Sequence, residues 1–266
     1  MDEKDTHRKA KHCILGLDLT RNKVPLTDVK GRPQRLLPVW VIRGYRTISF
    51  EAASLLAGCP PWDLEAKTLA SLYQCNKEVR GRGELPMPQE YARHRSQLRG
   101  VLLVEWRERL DNPSAGHATI AAVRPVMEDW LGRQHGVLTF RLTQILTGHG
   151  CFGRYLHRIG REQSPDCHHC EDRLEDTAQH TLEECQAWAE QRRTLDAAVG
   201  GGGLSLPNIV QAMVGSETAW SAAASFCEEV MSAKEAAERV REISMVYPSR
   251  RRRSGRRRAN DDLRPP

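Results

Sequence analysis

Cys167-His-His-Cys-Glu-Asp-Arg-Leu-Glu-Asp-Thr-Ala-Gln-His-Thr-Leu-Glu-Glu-Cys185 holds three cysteines and three histidines in nineteen residues. Written as spacing it is C-x2-C-x9-H-x4-C, with Cys167, Cys170, His180 and Cys185 as candidate ligands. Two cysteines three apart grip one ion from a tight turn, where backbone N–H groups also point at the sulfurs. A histidine and a cysteine five apart sit about one and a half helical turns from each other and can complete a tetrahedron. Three thiolates and one imidazole select Zn2+, and four protein ligands leave no position for a reacting water, so the expected metal is structural. His168 or His169 could stand in for His180, at the cost of strain beside Cys167; otherwise both face solvent or nucleic acid. The segment has little apolar content of its own, so the ion is expected to fold it.

Working outward, helical periodicity flanks the cluster on both sides. Leu138, Leu142, Ile145 and Leu146 form one apolar face, with Gly148 as a left-handed cap. Phe152, Tyr155, Leu156 and Ile159 start another short helix. His149, between two glycines, reads as part of a capping turn. Downstream, Leu182 to Val199 is expected to be helical up to the four glycines at 200–203, a flexible joint. Pro207–Met213 is one short helix, and Ser216 caps a long one from Glu217 to about Met245, with Trp220, Ala224, Cys227, Val230 and Met231 on its buried side. Upstream, order is expected from Leu36. Ser49 caps a helix that stops at Gly58, Asp63 opens a second with Leu69, Leu72 and Tyr73 inward, and 88–110 is a longer one burying Tyr91, Leu98, Leu102, Val104 and Trp106. Ile120 to Leu131 is mostly helical, with Pro125 tolerated near a first turn. The fold class is mostly α: loosely packed helical units, one small CCHC zinc knuckle and a disordered Arg-rich tail. The units are a poorly ordered 1–34, helices over 35–110 and 111–165, the knuckle and its helix at 166–199, C-terminal helices at 200–247, and the tail at 248–266.

The chain has 266 residues, 39% hydrophobic and 28% charged, a thin apolar supply for one large core. Its net charge of +6 comes from one place: Arg250, Arg251, Arg252, Arg253, Arg256, Arg257 and Arg258. Without those seven the chain is close to neutral. Such a run displaces counterions from a phosphate backbone with little sequence preference, or serves as a solvated or nuclear-targeting tail. No apolar run approaches the roughly 18–20 residues that span a bilayer, so no membrane partner is expected. The N-terminus lacks the apolar core of a secretory signal, which places the protein in the nucleus or cytoplasm, where clustered cysteines mean metal rather than disulfides. Cys13, Cys59, Cys75, Cys151 and Cys227 read as ordinary thiols. No nucleotide-binding loop, nucleophile elbow or HExxH occurs, and Asp261-Asp262 lacks the apolar strand of a polymerase metal site, so no catalytic residue is assigned.

Three stretches resemble the C-terminal region of the reverse-transcriptase polyprotein of arthropod non-LTR retrotransposons, most like the type-1 elements that insert into ribosomal RNA genes. They are VIRGYRTISFEAASLLAG (Val41–Gly58), TFRLTQILTGHGCFGRYLHRIG (Thr139–Gly160) and CHHCEDRLEDTAQHTLEECQAWAEQRRTL (Cys167–Leu195). The resemblance spans roughly residues 36 to 258 and places the family's zinc knuckle on Cys167, Cys170, His180 and Cys185. It implies a parent with an endonuclease, then a polymerase, then this region; the palm aspartates would lie upstream of Val41, so the chain is expected to be inactive alone. The nine-residue gap is longer than the four of retroviral nucleocapsid knuckles. The expected function is binding of RNA or DNA, with His168, His169, Arg173 and Gln179 as contacts around the zinc and the arginine tail on phosphates. Two other readings compete: part of an RNA-directed DNA polymerase that needs the upstream palm, with 41–110 thumb-like, and a zinc-stabilised protein–protein module presenting Trp188 and Trp220.

Overall fold

A computed structural model describes residues 32–85 and 87–244. Eleven α-helices, α1 to α11, are described, and no strand occurs among the described residues. The arginine run and most of segment 1–34 lie outside them. Helix α1 (Arg32–Val41) begins four residues before the expected Leu36. It packs against α2 (Phe50–Ala57), where Ser49 Oγ accepts from the Ala52 N–H and Gly58 closes the helix at φ 64°. Both caps are as the sequence indicates, because a hydroxyl satisfies one orphan amide and only glycine takes the left-handed turn cheaply.

Helices α3 (Trp62–Gly81) and α4 (Pro88–Arg109) pack against each other as a long helical hairpin. Their inward faces are narrower than periodicity suggests. Leu64, Leu72, Leu102 and Trp106 are buried, whereas Leu69, Tyr73, Tyr91 and Val104 are exposed, Tyr73 by 59% and Val104 by 55%. The physical reason is that a two-helix arm offers only one partner surface, so the flanking positions of each stripe have nothing to cover them. Ion pairs tie the arm near its base: Lys67 to Glu105 at 2.7 Å and Arg109 to Asp63 at 2.7 Å.

The expected helix from Ile120 to Leu131 is instead two. Helix α5 (His117–Val123) gives way to a 3-10 turn at Arg124–Val126, and α6 (Met127–Gly132) follows. Pro125 lacks an amide proton, so the register breaks there. Helix α7 (Phe140–Thr147) is the centre of the molecule, with Leu142, Thr143, Gln144, Ile145 and Leu146 all buried. Thr143 Oγ1 donates to the Ile42 carbonyl at 2.6 Å and Thr119 Oγ1 to the Leu146 carbonyl at 2.8 Å, which satisfies the buried hydroxyls. Helix α8 (Gly153–Arg158) comes next, ending one residue before Ile159, which is 36% exposed.

Helices α9 (Ala189–Val199), α10 (Leu206–Gly215) and the 28-residue α11 (Glu217–Ser244) complete the chain. Helix α11 packs on α7, α9 and α10. It buries Trp220, Ala223, Phe226, Cys227, Val230 and Met231, a continuous stripe at helical spacing; Ala224 lies half-buried at its edge. Gly136 (φ 78°) lies so close to Trp220 that a Cβ would stand 2.2 Å from the indole. One cluster of buried residues runs from Val39 to Met231 and includes Cys167, Leu182, Cys185 and Trp188. With Trp188 and Trp220 both buried, neither presents a contact surface. No helix among the described residues is long and apolar enough to cross a membrane.

Candidate metal centre

The four sequence-assigned ligands meet. One ligand atom from each of Cys167, Cys170, His180 and Cys185 lies within 4.8 Å of all the others. Cys167 Sγ and Cys185 Sγ are 3.8 Å apart, and Cys170 Sγ is 3.5 Å from His180 Nε2. Tetrahedral zinc, with bonds of about 2.3 Å to sulfur and about 2.0 Å to nitrogen, sets S···S near ~3.8 Å and S···N near ~3.5 Å. Both separations match, so donor chemistry and geometry fit one Zn2+. Neither His168 nor His169 joins this group.

Local backbone explains the convergence. Pro165 to Asp176 forms a short hairpin: the Cys167 N–H donates to the Leu174 carbonyl and the Asp176 N–H to the Pro165 carbonyl, both at 2.8 Å, around the isolated bridge of Asp166 with Glu175. Arg173 takes φ 49° at the turn, an uncommon conformation for a residue with a Cβ. The His169 N–H points at Cys167 Sγ from 3.4 Å. The second ligand pair comes from a π-helical turn, His180–Glu184, whose closing bond runs from the Cys185 N–H to the His180 carbonyl at 2.8 Å. Four intervening residues are what an i to i+5 bond requires. Cys185 then leaves helical geometry (ψ 117°), turning its sulfur back to Cys167. The helix expected over Leu182–Val199 is therefore interrupted: π turn, Cys185, a 3-10 turn at Gln186–Trp188, then α9.

The contact between the sulfurs moves Cys167 and Cys185 in opposite directions. Cys167 is pulled well below the ordinary thiol range by the Cys185 thiol and then by the His169 and Cys170 amides, and Lys234 also contributes. Cys185 is pushed up, first by its hydrogen bond with Cys167 and then by burial. His180 Nδ1 lies 3.2 Å from Glu184 Oε2, a carboxylate placed to fix the ring tautomer and present Nε2 to the ion.

Sequence reasoning missed the buried support. Lys234 Nζ of α11 and Asp176 Oδ1 of the hairpin are 2.5 Å apart, with side-chain exposures of 1% and 5%. The other Asp176 oxygen accepts from the Gly153 N–H at 3.0 Å, and Lys234 stands 5.3 Å from the Phe152 ring. A Cβ on Gly153 would lie 2.6 Å from the Pro165 carbonyl oxygen, so only glycine lets α8 approach the hairpin. In sequence Lys234 sits among alanines and reads as an exposed helix charge; 58 residues separate it from Asp176.

The predicted contact residues scatter around this centre. His168 is exposed, 3.6 Å from Glu162. His169 is half-buried against Trp188, ring centroids 5.1 Å apart, and its basicity is lowered first by that burial and then by Lys234. Arg173 and Gln179 are exposed. The thiols of Cys59, Cys151 and Cys227 are buried and shifted upward by burial, in keeping with inert packing.

Comparison with known proteins finds relatives of one kind. The Retrovirus-related Pol polyprotein from type-1 retrotransposable element R1 4 of Nasonia vitripennis is 28% identical over 197 residues, 71% of this chain and 48% of that protein. That from element R1 2 of the same species is 32% identical over 158 residues, 57% of this chain and 37% of its own length. The Putative 115 kDa protein in type-1 retrotransposable element R1DM of Drosophila melanogaster is 30% identical over 166 residues, 60% of this chain and 16% of that protein. The chain thus spans less than half the length of these relatives. No family model matches, and no solved structure matches.

Proposed function

From homology to type-1 retrotransposon Pol polyproteins over 57–71% of the chain, we propose that this protein is a nucleic-acid-binding region of a non-LTR polyprotein, organised by one structural Zn2+. The observation that carries the reading is the convergence of Cys167, Cys170, His180 and Cys185, whose ligand atoms all lie within 4.8 Å of one another. Zinc there supplies folding free energy and a rigid frame, because all four ligands come from protein. Exposed Arg173 and Gln179, with His168 beside them, contact RNA or DNA, and the arginines at 250–258 hold phosphates without sequence preference. In a parent polyprotein this region holds template or target strand close to the polymerase domain upstream.

Metal stoichiometry on protein purified without added metal, paired with single-stranded RNA titrations at two salt concentrations, tests this. One zinc per chain, lost in Cys170→Ser together with part of the RNA affinity, is the expected result. Zinc retained with RNA binding indifferent to Cys170→Ser leaves the arginine tail as the binder and the knuckle as scaffold. A chain without zinc ends the reading.

A further inference from the structure

A groove of about 610 Å³ runs between α8 and the π turn that carries His180, reaching the start of α10. Arg154 and Arg158 line one wall, Gln179 and Glu183 the other. Several arginines near α11 are committed to carboxylates: Arg141 to Glu228 and Glu235, Arg161 to Glu238 and Glu242, Arg241 to Glu162. Arg158 is different. Its side-chain hydrogen bond goes to a neutral acceptor, His149 Nε2 at 3.2 Å, and its guanidinium lies 5.2 Å from the Tyr155 ring centroid. Among the described residues it has no carboxylate partner. Arg154, one turn earlier on α8, meets only the exposed Glu175 at 3.5 Å, a separation worth little in water.

The arrangement is set in advance. His149 Nδ1 lies 2.9 Å from the Thr147 carbonyl, so the proton sits there and Nε2 is left to accept from Arg158. The His149 ring meets Tyr155 edge-on at 4.9 Å. Tyr155 is buried, and its hydroxyl is 2.9 Å from Thr47 Oγ1, which fixes the ring in the core. Arg158 is therefore a held, exposed, unneutralised guanidinium: one face on an aromatic ring, the other open to the groove. That is the disposition that stacks a nucleobase and pairs a phosphate.

We propose that this groove is the track for a single strand of RNA, with Arg158 stacking a base and Arg154 and Arg158 taking neighbouring phosphates. It rests on the nucleic-acid reading above and gives it a location beside the knuckle. The strand's phosphates follow the α8 wall, because Glu183 repels them from the other.

The test is fluorescence anisotropy of the full chain, metal-loaded, with a labelled single-stranded RNA of about 15 nucleotides at low and physiological salt. Arg158→Gln is expected to weaken binding about tenfold and to reduce the salt slope by about one. Arg158→Lys restores the slope but not the full affinity, since an ammonium does not stack. Glu183→Gln tightens binding, and Arg161→Gln leaves it unchanged. Thermal melts matching the unsubstituted chain separate these effects from misfolding. If Arg154→Gln and Arg158→Gln both bind as the unsubstituted chain does while Cys170→Ser weakens, the groove is not the track and the knuckle reading stands. An unsubstituted chain that ignores RNA overturns both. Loss of polyglutamate binding in Arg158→Gln with RNA affinity intact assigns the groove to an acidic protein segment and overturns the proposal.

Discussion

The arm of α3 and α4 and the metal module with α11 solve the same problem in opposite ways. The arm spends helices of 20 and 22 residues to bury Leu64, Leu72, Leu102 and Trp106, and holds itself with exposed ion pairs. The module has about twenty residues and almost no helix of its own, yet His180, Thr181, Asp176 and Lys234 are nearly inaccessible. Helical arms stand on local hydrogen bonds and tolerate poor burial. A segment with so little helix has no such reserve, so its polar groups must be satisfied one by one, and each becomes expensive to disturb.

Metal removal is the largest perturbation this contrast predicts. Structural zinc supplies roughly 10–16 kcal/mol in isolated knuckle-sized peptides, more than any single side chain here. Chelation should abolish amide protection over residues 166–188 while the arm keeps its own. Hydrogen exchange with and without chelator reads both at once; equal protection in the module would dissolve the distinction. Next comes Lys234→Ala, which leaves the Asp176 carboxylate buried and unpaired, for a loss of about 3–5 kcal/mol. Replacing the pair together, Lys234→Met with Asp176→Asn, should cost less than Lys234→Ala, and chemical denaturation distinguishes a pairing defect from a packing one. Gly153→Ala follows at about 1–3 kcal/mol, because a Cβ 2.6 Å from a backbone oxygen forces α8 away from the hairpin.

These positions also show what a sequence discloses. The Cys/His cluster was legible because metal chemistry restricts both residue type and spacing, and the x4 gap between His180 and Cys185 survives as the π turn itself. Caps at Ser49, Gly58 and Gly148 were equally local, and so was the stripe on α7. Lys234 and Asp176 were not: pairing across 58 residues leaves no periodic trace. Nor were Leu69, Tyr73 and Val104, whose apolar spacing promises a partner surface that the arm lacks. Periodicity reports which face could be buried; the number of neighbours decides which face is.

The smallest effect concerns Glu105 of α4, which joins the two helices of the arm by accepting from Lys67 of α3 at 2.7 Å and also accepts from Arg109 of its own helix at 3.0 Å. Its carboxyl is held below its ordinary value of 4.5, first by the Lys67 hydrogen bond and then by that from Arg109. A depressed carboxylate contributes stability that is fully present above the unfolded-state value and lost as pH falls through the folded one. At neutral pH, Glu105→Gln should therefore slightly reduce arm protection and leave the module untouched. Below that depressed value the two proteins should become indistinguishable, since the unsubstituted side chain is then neutral as well. Salt should erase the difference at neutral pH, because the pairs are exposed and screened. A Glu105→Gln effect that instead spread to residues 166–188 would mean that arm and module are one cooperative unit, joined through the core beneath Trp106.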